Sequence, residues 1–189
     1  MAKLNKPKIF TFDEVSAWFT EFQGDSDRAS AVLAVAFLDT QLEQILRAFS
    51  ADENKILELL KPDQPLGSFG ARWKLCLSLG LISPDEASEL RMLGKVRNAF
   101  AHEPHGLSFD AAPVSDLVQA LALPQRVLPQ FNRWLGRARF TTSVAHMHLL
   151  LNWRLEVATS AKRSAVAQVT IPITKVAPGD LPEGLFTDA

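Results

Sequence analysis

The sequence predicts an all-α fold, an antiparallel bundle of several helices. Three observations point there. Apolar residues recur at spacings of three and four over most of the chain, the period of a helix face. Helix-start signals of the Ser/Thr-x-x-Glu type precede those stretches. Finally, no stretch reads as a βαβ unit, and both the Gly-x-Gly-x-x-Gly and P-loop patterns are missing from the 189 residues.

Taken in order, Thr11 and Glu14 form a capping box ahead of Val15, Trp18, Phe19 and Phe22, and Gly24 closes that helix. Asp25, Ser26 and Asp27 offer caps for a long second helix with the stripe Leu38, Leu42, Ile45, Phe49. Its first part, Ala31 to Leu38, is apolar nearly all round, which predicts a place at the centre of the bundle. Residues 52–60 read as a short helix stopped by Pro62. The loop Pro65-Leu66-Gly67 leads to Ser68, an N-cap for Phe69 to Leu79, with Gly80 at the C-terminal end. Ser83-Pro84-Asp85-Glu86 is the strongest local signal: Ser83 caps, Pro84 takes the first helical position and Glu86 closes the box. The helix it starts carries Leu90, Leu93, Arg97 and Phe100 on one side and stops near His102, because Pro104 disfavours helix at Glu103.

Beyond that point the pattern is less regular. Pro113 can start a helix ending near Leu123, and Pro124 and Pro129 are expected to break the chain around Phe131 and Trp134. Thr141, Thr142 and Ser143 can cap a last long helix with the face Val144, Met147, Leu151, Leu155, Ala158. Residues 164–189, with Pro172, Pro178 and Pro182, read as a C-terminal tail with some strand-like alternation from Val166 to Ile173. The expected organisation is one helical domain over residues 1–163 followed by that tail.

Composition narrows the function classes. A single cysteine, Cys76, excludes an internal disulfide and a cysteine-based zinc site. The longest charge-free run, Phe140 to Trp153, has 14 residues; a bilayer span needs about 20, so no membrane segment is expected. The first residues lack an apolar secretory core, and a cytoplasmic location is expected. The absence of tyrosine excludes a phenolic acid or base.

The net charge is −1, but it is unevenly spread. Residues 1–64 sum to −4, and residues 126–163, with seven bases and only Glu156 as an acid, sum to +6. Such a segment can attract phosphates, or its arginines can snorkel over apolar surface and pair with the acidic half. The latter is the simpler reading.

Arg97-Asn98-Ala99-Phe100-Ala101-His102 is the segment with chemical content. Asn98 and His102, four apart, share a helix face. Arg97 lies along the Leu90/Leu93 stripe, where a guanidinium is costly unless it finds partners; Asp39 and Glu43 on the long helix are the first carboxylates to consider. An imidazole near neutrality beside an arginine suits RNA cleavage, moving a proton at the 2′-hydroxyl or leaving oxygen while the guanidinium stabilises the phosphorane. The plainer reading is that Asn98 and His102 cap the helix end and Arg97 forms a structural pair. His146 and His148, two apart, diverge by about 200° on a helix and cannot share a metal; one is expected exposed and one packed. Cys76 and the tryptophans Trp18, Trp73, Trp134 and Trp153 read as packing residues or interface anchors. No metal site and no cofactor is expected.

Arg97-Asn98-x-x-x-His102 resembles the Arg-x4–6-His signature of HEPN domains, helical bundles that include RNA-cleaving toxins and defence proteins as well as inactive relatives. More broadly, three stretches resemble the mannitol operon repressor family. They are Asp27-Arg28-Ala29 leading to Leu38-Asp39-x-x-Leu42; Pro65-Leu66-Gly67-Ser68-Phe69-x-x-Arg72; and Leu79-Gly80-Leu81-Ile82 leading to Arg97-Asn98-x-x-Ala101-His102. They span residues 27–102, roughly 40% of the chain. Phe100 precedes Ala101, and Ala99 stands where related sequences often carry an acid.

The family implies transcriptional control of a sugar-alcohol operon, yet the sequence has no good helix-turn-helix for reading DNA. In the nearest candidate, Phe69–Leu79 followed by Pro84–His102, Asp85, Glu86 and Glu89 offset Arg91, Lys95 and Arg97. Three functions are therefore ranked. The first is a non-enzymatic regulator or corepressor acting through protein contacts, expected as a homodimer, with Asp39, Glu43 and Arg72 as candidate binding residues. The second is a metal-independent endoribonuclease acting on RNA, with Arg97, Asn98 and His102 as catalytic candidates paired across a dimer. A direct DNA-binding repressor comes last.

Overall fold

The computed structural model of the chain describes residues 26–102, 106–127 and 136–169. The described residues form an all-helical bundle: α1 (Asp27–Phe49), α2 (Glu53–Leu59), α3 (Phe69–Ser78), α4 (Pro84–His102), α5 (Val114–Gln119), α6 (Leu123–Val127) and α7 (Gly136–Ser160). The expected helix from Thr11, the breaks at Pro129, Phe131 and Trp134, and the tail after Val169 lie outside the described residues.

The caps form as their chemistry dictates. Ser26 Oγ accepts from the Ala29 amide and Ser68 Oγ from the Ala71 amide, both at 3.2 Å. Asp52 caps α2 by accepting from the Asn54 and Lys55 amides at 2.9 and 3.1 Å. At α4 the box is reciprocal: the Glu86 amide donates to Ser83 Oγ at 3.2 Å, and the Ser83 amide donates to Glu86 Oε2 at 2.7 Å. Gly80 ends α3 at φ +70°, a left-handed conformation that suits glycine.

α1 and α7 pack along much of their length, and their contacts rise together in number. Asp27 meets Arg137; Gln41 Nε2 donates to the His148 carbonyl at 3.3 Å and to Asn152 Oδ1 at 2.8 Å; and the Arg163 amide donates to the Phe49 carbonyl at 2.9 Å. The two longest helices are therefore parallel to each other. α4 runs against both: its start reaches Arg154 through Glu86, while its end reaches Phe140 through the stack Phe100–Phe109–Phe140, with ring centroids 5.0 and 4.8 Å apart. The antiparallel relation thus holds for α4 and gives way between α1 and α7, because residues 106–127, with α5 and α6, pack between α4 and α7 and return the chain along the bundle.

Three local expectations are corrected. α7 begins at Gly136, ahead of Thr141–Ser143. Thr141 and Thr142 sit inside the helix and donate to the carbonyls of Arg137 and Ala138 at 3.0 and 2.8 Å, and Ser143 donates to Glu89 at 2.6 Å. Pro124 does not break the chain: it takes the second position of α6, where a missing amide hydrogen is harmless. The all-apolar start of α1 is not wholly central either. Ala31, Ala34, Val35 and Leu38 are buried, whereas Val32 and Leu33 are 38% and 52% exposed.

α1 is long and apolar enough to cross a membrane by length and composition, which the count of charge-free residues did not register. Its buried side, through Leu42 and Ile45, forms part of the protein core.

Buried charges hold the helix ends of the return segment. Glu89, 3% exposed, accepts from the Ala122 and Leu123 amides at 2.9 and 3.2 Å, where α6 begins. Arg139 donates to the carbonyls of Val118, Gln119 and Leu121 at 3.1, 3.0 and 2.6 Å, where α5 ends. Each charge thus opposes the helix dipole it meets. The arginine-rich segment is largely used in this way, since Arg126 pairs with Asp85, Arg137 with Asp27 and Arg154 with Glu86.

Neither histidine of α7 is exposed. His148 stacks on Phe37 at 5.0 Å and shares a hydrogen bond with the Asn152 amide at 3.1 Å, and His146 is likewise half-buried.

Two outcomes follow from this packing. Replacing Glu89 by alanine strips two amides and a hydroxyl of a charged acceptor and is expected to cost about 3 kcal/mol in urea unfolding; a loss under about 0.5 kcal/mol would contradict the capping role. Burial lowers the pKa of His146, despite the opposing pull of Glu86, and burial also lowers that of His148, both from an ordinary value of 6.5. The unfolded chain binds these protons first on acidification. Their contribution to stability is complete above pH 6.5 and is lost as pH falls through the lowered folded values. The unfolding free energy in urea should drop below pH 6.5 by at most about 1.4 kcal/mol per pH unit per histidine, and His148→Gln should flatten the slope.

Candidate functional site

Asp39 and Glu43 stand four apart on α1 and face α3 together. Arg72, on the first turn of α3, reaches them both: its Nη1 lies 2.9 Å from Asp39 Oδ2 and its Nη2 lies 3.7 Å from Glu43 Oε2. The same guanidinium donates to two carbonyls of the preceding loop, from Nε to Leu66 at 3.0 Å and from Nη2 to Leu60 at 2.8 Å. Its side chain is only 9% exposed. The rigid fork of arginine satisfies this set, whereas a lysine ammonium could not present its donors in that plane.

The loop that brings those carbonyls into place depends on Gly67. A Cβ there would overlap the carbonyl oxygens of Lys61 and Pro62, so the turn admits only glycine. Pro65-Leu66-Gly67-Ser68 is therefore a built element: the turn aims two carbonyls at Arg72, and Ser68 starts the helix that carries it.

Arg97 approaches the cluster from α4. It lies on the inward face with Leu93, Val96 and Phe100, near enough to Asp39 to favour that carboxylate electrostatically, but it forms no ion pair among the described residues. The sequence pointed to Asp39 and Glu43 as partners for Arg97; the structure gives both to Arg72. Two buried polar atoms are left without a hydrogen bond, Asp39 Oδ1 and Arg97 Nε.

Burial pushes the Asp39 carboxyl above its ordinary value of 3.8, outweighing the downward pull of Arg72 and, more weakly, of Arg97; Glu43 adds to the rise.

Asn98 and His102 lie elsewhere. His102 is five positions on from Arg97, which places them about 140° apart around α4. Asn98 and His102 are exposed, whereas Arg97 is half-buried towards α1. Within one chain, Arg97 and His102 do not converge on a common reacting atom. Burial raises the Cys76 thiol to about 12, which makes it a core residue and not a nucleophile. Among the described residues, no three His, Cys, Asp or Glu side chains gather closely enough to hold a metal ion.

Sequence reasoning found Asp39, Glu43 and Arg72, and the structure brings these three together. It missed Glu89 and Arg139. No local pattern marks either one, since both act on helix ends 18 to 34 residues away.

The cluster can be tested directly. In Arg72→Ala the carboxylates lose their buried counter-charge, with an expected cost of about 3–5 kcal/mol in chemical unfolding; Arg72→Lys should recover only part of it. The Asp39 carboxyl, followed by NMR, should titrate above 3.8. The folded state then binds the proton more readily. This group's contribution to stability is complete below 3.8 and fades as pH rises through the raised folded value. A midpoint at or below 3.8 would contradict dominance of burial.

No protein-family model matches the chain, and no curated protein matches it in sequence. Among solved structures, the chain is similar to the X-ray structure of the MtlR–HPr complex from Escherichia coli, with 19% sequence identity, a TM-score of 0.48 and coverage of 77% of this chain and 98% of that one.

Proposed function

We propose that this chain is a regulatory interaction protein of the mannitol-repressor type. It acts in the cytoplasm, as a homodimer, through contacts with another protein and without a DNA-reading element of its own. The observation that carries this reading is the position of α4. In the candidate helix-turn-helix, α4 would have to be the recognition helix and lie in a DNA groove. Instead Glu86, Glu89, Leu90, Leu93, Val96 and Phe100 are buried in the bundle, and α4 packs against α1, α3, α5 and α7. The first turns of α4, which a recognition helix would lay on base edges, hold Asp85, Glu86 and Glu89, acids already paired with Arg126, Arg154 and the Ala122 amide. The resemblance residues have structural work: Asp27 accepts from the Phe109 amide at 3.0 Å, Gly67 admits the turn, and Arg72 holds Asp39. Exposed Val32 and Leu33 on α1 supply apolar surface for contact with another chain.

The endoribonuclease reading has one observation in its favour, the unsatisfied Nε of Arg97 near a helix end that exposes Asn98 and His102. It requires two subunits to complete what one does not.

One pair of experiments separates the two. Deleting the gene should change transcript levels of sugar-alcohol uptake genes, while the purified protein alone leaves their promoter DNA unshifted in a gel. Incubated with total RNA in chelator, wild type and His102→Ala should both leave the RNA intact. Cleavage by wild type that His102→Ala abolishes, with transcripts unchanged by the deletion, would overturn the regulatory reading.

A further inference from the structure

The one open side of α4 carries an unusual line of residues. Arg91, Lys95, Asn98 and His102 follow one another at spacings of four, three and four, and all four are exposed. At 1.5 Å per residue the line runs for about 16 Å. Among the described residues its cations have no carboxylate partner, because every acid of α4 is engaged elsewhere. Asp85 pairs with Arg126 at 2.6 Å, Glu86 with Arg154 at 3.0 Å, and Glu89 accepts from the Ala122 amide at 2.9 Å. Among the described residues, Arg91 and Lys95 form no ion pair, and none of the four side chains makes a hydrogen bond. Arg47, Arg72, Arg126, Arg137 and Arg154, in contrast, each hold a carboxylate. Like charges four apart on a helix repel each other and lower its stability. Arg91 and Lys95 carry that cost with no partner among the described residues.

We propose that this ridge is the docking surface for an acidic helix on the partner protein. The inference rests on the regulatory reading and gives its partner a chemistry. A helix with glutamates or aspartates at the same spacing of four and three would place a carboxylate opposite Arg91 and Lys95, and a third beside the donors of Asn98 and His102. The ridge is held ready for such contact. Glu86 and Glu89 pin α4 to α7 and α6, and Gly94 lies so close to Phe69 that a Cβ there would stand 3.1 Å from the ring. Cations on a fixed helix lose little freedom on binding. An acidic protein fits better than a nucleic acid. The chain carries a net charge of −1, the ridge is short, and of its four residues only His102 offers a ring to a base.

The test uses the full chain and a fluorescein-labelled helical peptide with glutamates at spacings of four and three, followed by anisotropy. Wild type should bind, with affinity falling as salt rises. The double variant Arg91→Glu/Lys95→Glu should lose about tenfold or more. Lys61→Glu/Lys162→Glu, the same charge change at two other exposed positions, should stay within about twofold of wild type. Circular dichroism melts establish that each variant is folded. Absence of peptide binding, or equal losses in both double variants, would overturn the proposal. So would tighter binding of polyuridylate through Arg91 and Lys95. A gene deletion without transcript effect alongside intact peptide binding would sink the regulatory reading and leave the ridge standing.

Discussion

One buried guanidinium sets the geometry of the amino-terminal half of the bundle. Arg72 joins two carboxylates of α1 to two carbonyls of the loop between α2 and α3, and nearly all of its donors are used away from water. A charge in that place is costly unless each neighbour is positioned for it. That requirement fixes how α3 is set on α1. It also explains the turn at Gly67, where two other carbonyls occupy the space of a side chain. Asp39, shared between Arg72 and the field of Arg97, then links α3 and α4 through α1. A cluster of two acids and two arginines is close to neutral, so it holds helices together without creating a strong local field.

The carboxyl-terminal half uses the same device on helix ends. Glu89 meets the amides that open α6, and Arg139 meets the carbonyls that close α5. Short helices of five and six residues have little stability of their own; here a charge from a long neighbouring helix satisfies the groups their ends leave open. As a result α4, central to both halves, has Glu86 and Glu89 committed inward, while Asp85 pairs with Arg126 at the surface. Its remaining solvent side is cationic, although the chain as a whole is nearly neutral.

Most of the element plan could be read from residue order. Ser26, Ser68 and the Ser83/Glu86 box mark helix starts in the sequence and cap those helices in the structure. These are contacts over two or three residues, so local chemistry is sufficient. The start of α7 was misread because hydroxyl side chains serve equally as caps and as bonds back to a carbonyl one turn earlier. The pair Asp39 and Glu43 was legible as a carboxylate pair on one helix face. Its true partner was not, because Arg72 and Arg97 are both placed to reach α1 and only the packing of α3 favours the first.

Residue order alone sets the helical class, most of the helix starts, the loop before Ser68 and the inward position of Arg97. All of these depend on period, capping and backbone sterics within a few residues. Tertiary structure alone decided that α1 and α7 run parallel, that Arg72 takes the carboxylates, and that Arg97 and His102 point apart towards different surroundings. Those outcomes depend on how residues 106–127 pack between α4 and α7 and on which of two similar guanidiniums the packing brings to a buried acid. Neither is encoded in any stretch short enough to be read as a motif.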